Sequence, residues 1–145
     1  MVVDTRGEKA RRLARTALEL LLASHPVDCA NCPSNGSCEL QKIAKHLGVK
    51  LNTRRFRKTL RDLPLDDSNP VLVYDPNKCV LCGRCVWACQ RRSGGGCIDF
   101  AYRGFRRKVT AFCDEPVGEC LCGECRDCIS VCPVGALVPK EVFDK

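Results

Sequence analysis

Long apolar runs are missing from this sequence, and so are the common nucleotide-binding and hydrolytic motifs. The one extended apolar stretch, LARTALELLLA at 13–23, is interrupted by Arg15 and Glu19 and follows a charged start. It reads as an amphipathic helix, not as a membrane span or secretory leader, so no membrane insertion and a cytoplasmic setting are expected. There is no G-x-G-x-x-G at a strand-to-helix junction, no P-loop and no H-E-x-x-H, which leaves dinucleotide binding, nucleotide hydrolysis and zinc-protease chemistry to other chains. The triple glycine at 94–96 reads as a tight turn, because a strand and not a helix is expected after it. Histidine is scarce, with two residues. Of these, His46 falls off the apolar stripe of its helix and is expected to face solvent.

Cysteine is abundant: 14 residues in 145, far above ordinary use. In a reducing compartment thiols seldom persist as disulfides, and many of these are separated by only two or three residues, as metal ligands are. CVLCGRCVWACQ places cysteines at 79, 82, 85 and 89, and CGECRDCISVCP places them at 122, 125, 128 and 132. All four positions recur at an offset of 43 residues, the mark of a duplicated unit. The spacing C-x2-C-x2-C-x3-C is that of bacterial ferredoxins with two 4Fe-4S clusters, in which the fourth cysteine of each run serves the other cluster. One cluster would take Cys79, Cys82, Cys85 and Cys132, and the other Cys122, Cys125, Cys128 and Cys89. Cys132-Pro133 matches that pattern, while Gln90 stands where the first run would have proline. Zinc also favours C-x2-C pairs, but a triple run followed by x3-C supplies more local thiolates than one tetrahedral ion takes.

The formal charge of +7 counts every cysteine as neutral. With eleven thiolates on three oxidised 4Fe-4S cores it falls to roughly +2, and much of the basic character disappears with it.

Two short strands are expected in GGGCIDFAYRGF and RRKVTAF, and others at 71–74 and 136–138. A short helix should follow the third cysteine of each run. Residues 71–145 thus read as a bacterial ferredoxin-like α+β domain with two clusters. Upstream, Thr5 and Glu8 form a capping-box pattern, followed by Ala10, Leu13, Ala14, Ala17, Leu20 and Leu21 at helical intervals. A second helix begins near Cys38, carries Leu40, Ile43, Ala44 and Leu47 on one face, and stops at Gly48. Between the two helices lies HPVDCANCPSNGSC, with His25, Cys29, Cys32 and Cys38.

That segment resembles the H-x3-C-x2-C-x5-C motif of the large iron-sulfur subunit of complex I and of iron-only hydrogenases. The resemblance implies that His25, Cys29, Cys32 and Cys38 hold one further 4Fe-4S cluster, making three. DPNKCVLCGRCVWAC, GGGCIDFAYRGF and CISVCPVGAL extend it to electron-bifurcating iron-only hydrogenases and NAD-linked formate dehydrogenases. Those polypeptides usually carry a 2Fe-2S domain before this region and a catalytic domain after it, so the chain resembles their relay portion. The resemblance implies a non-catalytic electron-transfer subunit of a soluble NAD(P)-linked complex, partnered by a flavin/NAD(P)-binding subunit and a second redox catalytic subunit. An imidazole in place of a thiolate lowers the negative charge around its cluster and should raise its potential, as histidine does in Rieske centres.

The whole is expected to be α+β: a helical module at 1–52 bearing the one-histidine, three-cysteine cluster, a basic linker at 53–70 and the two-cluster domain at 71–145. Cys97, Cys113 and Cys120 are left over, either as small packed residues or as ligands of a fourth iron-sulfur centre. Arg54, Arg55, Arg57, Lys58 and Arg61 would form a solvated face, or would steer an acidic or phosphate-bearing partner. With one phenylalanine interleaved among them, nucleic acid is not favoured. The competing reading is a zinc-binding module contacting nucleic acid or protein. Colour separates the two, since iron-sulfur proteins are brown and zinc proteins colourless.

Overall fold

The computed structural model describes residues 2–91, 96–119 and 125–143. The first helix, α1, runs Glu8–Ser24 and the second, α2, Glu39–Leu47. Strand β1 is Leu72–Tyr74, helix α3 Arg84–Arg91, β2 Ile98–Ala101 and β3 Lys108–Ala111. Helix α4, Asp127–Ser130, strand β4, Leu137–Pro139, and helix α5, Lys140–Phe143, complete the order.

Both strand pairs are antiparallel. β1 pairs with β4, Val73 opposite Val138, and β2 pairs with β3, Phe100 opposite Val109. The first pairing joins the two ends of the duplicated unit, and α3 packs against α4 between them. This is the α+β arrangement expected of two crossed cysteine runs. The helices begin one residue before the third cysteine of each run, at Arg84 and Asp127, and not after it.

Two expectations for α1 need correction. Its N-cap is Gly7, with no side-chain cap; the Asp4 carboxylate accepts the Arg6 amide at 2.8 Å, and Thr5 plays no capping part. The buried face is Leu18, Leu22 and Ala23, whereas Leu13 and Leu20 are 67% and 52% exposed. Apolar residues mark two adjacent faces of this helix, and contact with α2 and the following loop selects one of them. Helix α2 ends as expected at Gly48, left-handed at φ 65°. There the Gly48 and Val49 amides bond back to Lys45 and Ala44, the Schellman pattern that glycine permits. Leu40 and Ala44 are buried, Ile43 is 46% exposed, and His46 is exposed as expected.

A single apolar cluster contains Leu18, Leu22, Leu40 and Ala44 from the first two helices together with Leu72, Tyr74, Val86, Val109, Val134 and Leu137. The basic segment lies across this shared core and is only partly a solvated face. The Thr59 amide bonds Ala23 O at 2.9 Å, Lys58 Nζ bonds Leu22 O at 2.8 Å, and Arg55 pairs with Glu19 at 2.7 Å. Arg61 reaches furthest in. Its guanidinium donates to Pro76 O, to Cys79 O at 2.8 Å and to Arg107 O at 3.2 Å, clamping the first cysteine run to the β2–β3 hairpin.

Charge-assisted bonds to two partly buried carbonyls and one exposed one carry more stability than a surface ion pair. Arg61→Met should therefore destabilise the holoprotein by about 2 kcal/mol, seen as a fall of roughly 5–10 °C in apparent Tm. Arg54→Ala and Arg57→Ala, at exposed positions, should shift stability by no more than about 0.5 kcal/mol.

Candidate metal centres

The loop between α1 and α2 is fixed by its own polar groups. The Asn35 amide bonds Cys32 O at 2.9 Å and the Cys32 amide bonds Cys29 O at 3.3 Å. Gln41 of α2 accepts from the Gly36 amide and donates to Asn35 Oδ1. Gly36 takes φ 81° at the turn. These bonds hold Cys29 and Cys32 beside Cys38, the residue that begins α2. His25 follows the last turn of α1, its amide bonded to Leu22 O.

His25, Cys29, Cys32 and Cys38 all line one small pocket, together with Leu22, Leu40, Val134 and Gly135. The Nδ1 atom of His25 is buried without a hydrogen-bond partner. Burial, reinforced by Lys58, Lys78 and Arg61 and opposed by Asp75, lowers the imidazole to about 4. It is thus neutral at physiological pH, the state in which imidazole binds metals. An orphaned ring nitrogen beside three thiols is costly to fold unless a metal group takes it up, so the residues present fit the expected cluster.

Cys79, Cys82 and Cys85 come together with Cys132 from the other run. Burial pushes the Cys85 thiol up to about 12, and its neighbours Cys79, Cys132 and Cys82 push the same way. Burial likewise raises Cys79, partly offset by the Leu81 amide, Tyr74 and Arg61, with Cys132 adding to the rise. The Leu81 amide donates to Cys79 Sγ at 3.4 Å, from a residue turned to φ 57°. Gly83 follows at φ 79°, with the Phe100 ring 3.4 Å from where a Cβ would stand, and Arg107 stacks on that ring at 4.0 Å.

Of the remaining expected ligands, Cys89 is buried on α3 and accepts the Cys97 amide at 3.2 Å. Cys125 and Cys128 flank the start of α4 and are half-buried. Cys122 lies outside the described residues, as do Cys120 and, of the triple glycine expected to turn, Gly94 and Gly95. Cys97 is half-buried before β2, while Cys113 is exposed in left-handed backbone at φ 54° after β3.

Among the described residues, no three His, Cys, Asp or Glu side chains converge tightly enough for a single ion. No helix among the described residues is long and apolar enough to cross a membrane.

Four residues that support these sites were not expected to do so from the sequence. Gly135 abuts Cys32, Lys78 lines the His25 cavity and pairs with Asp75 at 3.2 Å, Arg61 clamps the Cys79 carbonyl, and Tyr74 is buried against the Cys79 thiol. Gly135, just after Cys132-Pro133-Val134, and Lys78, directly before Cys79, stood in motifs where they could have been noticed.

Comparison with known proteins points to the same chemistry. Residues 15–52 match the NADH-ubiquinone oxidoreductase-G iron-sulfur binding region, and residues 72–92 match a 4Fe-4S binding domain. The NADP-reducing hydrogenase subunit HndD of Solidesulfovibrio fructosivorans is 33% identical over 97% of this chain and 24% of its own length. An NADH-quinone oxidoreductase subunit of Rhizobium meliloti is 34% identical over 95% of this chain and 16% of its own length. The chain therefore spans a quarter or less of these relatives. The crystal structure of an NAD+-reducing [NiFe]-hydrogenase in the H2-reduced state superposes with a TM-score of 0.84 and 31% identity, over 93% of this chain and 57% of that one. Over nearly its whole length the chain is thus similar to one segment of these hydrogenase and NADH-quinone oxidoreductase subunits, with an NADH-ubiquinone oxidoreductase-G iron-sulfur binding region matched first and a 4Fe-4S binding domain after it.

Proposed function

We propose that this chain relays single electrons through three 4Fe-4S clusters within an NAD(P)-linked oxidoreductase assembly. His25, Cys29, Cys32 and Cys38 would hold the first cluster. Cys79, Cys82, Cys85 and Cys132 would hold the second, and Cys122, Cys125, Cys128 and Cys89 the third. The clusters supply the one-electron chemistry. The chain's own residues bind them, exclude water and set their potentials through amide–sulfur bonds such as those from Leu81 and Cys97.

The observation that carries this reading is the pocket lined by His25, Cys29, Cys32 and Cys38, together with the buried, unpartnered Nδ1 of that same His25. A two-cluster ferredoxin has no use for it. Substrate chemistry would reside on partners, a flavin/NAD(P)-binding subunit and a second redox enzyme, in line with relatives whose names mark them as subunits of NADP-reducing and NADH-quinone oxidoreductases. A cytoplasmic location accords with this role.

Iron, acid-labile sulfide and zinc per chain, measured on anaerobically purified protein, test the proposal. Three clusters give roughly 12 iron with matching sulfide. About 8 would remove the His25 cluster, about 16 would bring Cys97, Cys113 and Cys120 into a fourth centre, and zinc with negligible iron would overturn electron transfer in favour of a zinc-binding module.

A further inference from the structure

Buried polar atoms without partners are few in folded proteins, and each asks for an explanation. Among the described residues two side chains have one: His25, which faces the first cluster cavity, and Tyr74. Tyr74 ends β1 and is 4% exposed. Its ring belongs to the shared apolar cluster, with Cys79 packed against that cluster. The hydroxyl approaches the Cys79 thiol and the Val109 backbone, yet makes no hydrogen bond of full geometry to either. A phenylalanine would fill the same space without burying an oxygen, so packing alone does not call for tyrosine here.

The mismatch disappears once Cys79 carries charge. A neutral thiol is a weak acceptor, whereas a metal-bound thiolate is a strong one, and a phenol is a good donor to it. Resting on the reading of Cys79 as a cluster ligand, we infer that Tyr74 is a positioning residue whose hydroxyl donates to Cys79 Sγ in the holoprotein and raises the reduction potential of that one cluster. The sign follows from charge. Reduction adds an electron to the cluster and negative charge to its sulfurs, so a donor hydrogen bond stabilises the reduced state more than the oxidised one. The hydroxyl remains the donor throughout, because a phenol keeps its proton at neutral pH.

The Leu81 amide already donates to the same sulfur, so Cys79 would accept from two sides. Loss of one donor should weaken the effect without releasing the ligand.

The test is Tyr74→Phe in the full chain, with iron and sulfide counted and each cluster titrated by EPR. The expected result is unchanged iron and one cluster shifted negative, with about a tenfold fall in its reduced-to-oxidised ratio at fixed potential, or about 59 mV for a one-electron couple. The other clusters should not move. A fluorotyrosine introduced at position 74 is a stronger donor of nearly the same shape, and should shift the same potential the opposite way. A merely structural role predicts no such reversal.

Unchanged potentials in a variant that keeps all its iron would overturn the inference while leaving the electron-relay reading intact. Parallel shifts of all clusters would overturn it too, as a general loosening. Absence of 4Fe-4S signals from the unsubstituted protein would instead defeat the relay reading itself. If Tyr74→Phe loses iron, the fluorotyrosine protein decides alone: a positive shift of one cluster supports the inference and no shift rejects it.

Discussion

Cys132→Ala is expected to cost about 4 of roughly 12 iron atoms, and the cluster it removes should be that of the distant run Cys79–Cys85, not that of its own. Sequence proximity would assign Cys132 to Cys122, Cys125 and Cys128, since it stands just one helical turn beyond the last of them. The fold argues otherwise. β1 pairs with β4, α3 packs on α4, and the Cys132 sulfur interacts with both Cys79 and Cys85.

Single substitutions cannot separate the two assignments, because either one loses a cluster. Pairs can, since residues serving one unit are non-additive. Cys82→Ala with Cys132→Ala should lose no more iron than Cys132→Ala alone, about 4 atoms. Cys125→Ala with Cys132→Ala should lose about 8. The reverse pattern, measured as iron and sulfide on the same preparations, would refute the crossing. Alanine is the right replacement, because a serine oxygen can still ligate.

The ligand pattern was legible because metal chemistry imposes it locally. Cysteines separated by two residues in a turn wrap one face of a cube, and the repeat of that spacing announces the second site. The strands were legible for a related reason: Val73 and Tyr74, like Ile98 and Phe100, are β-branched or aromatic residues beside turns. What stayed hidden depends on contacts across the chain. Periodicity marked Leu13, Ala17 and Leu20 on α1 as apolar but could not say that Leu18 and Leu22 would be the pair covered by α2. A run of five basic residues looked uniform, although Arg61 is half-buried on three carbonyls while Arg54 and Arg57 are exposed. The division at residues 52 and 70 did not anticipate that both sides share one apolar cluster. Ligands follow a local code, whereas the residues that support them, Arg61 and Gly135, are fixed by partners 15 or more residues away. Lys78, paired with Asp75, and Tyr74 are exceptions close to Cys79 in sequence, and Tyr74 is set against it only by the strand it ends.

Gly135→Ala should empty the His25 site while sparing the other two. Gly135 is not in the left-handed region, so its backbone does not demand glycine. The demand is for space: a Cβ would stand 2.7 Å from Cys32 Sγ and 3.3 Å from Ser34 Oγ. Neither side can easily retreat. The Pro133 carbonyl accepts the Glu39 amide at 2.9 Å, Val134 and Ala136 are 4% and 2% exposed, and Cys32 is tied into its turn by the Asn35 amide. Overpacking in such surroundings costs about 1–3 kcal/mol, and here the atom displaced is an expected ligand. Iron should fall by about 4 per chain, with EPR signals of the two ferredoxin-like clusters retained. Full iron with an unaltered His25-cluster signal would show that the Cys32 loop can move aside, and that the two cluster regions are less rigidly joined than their shared core implies.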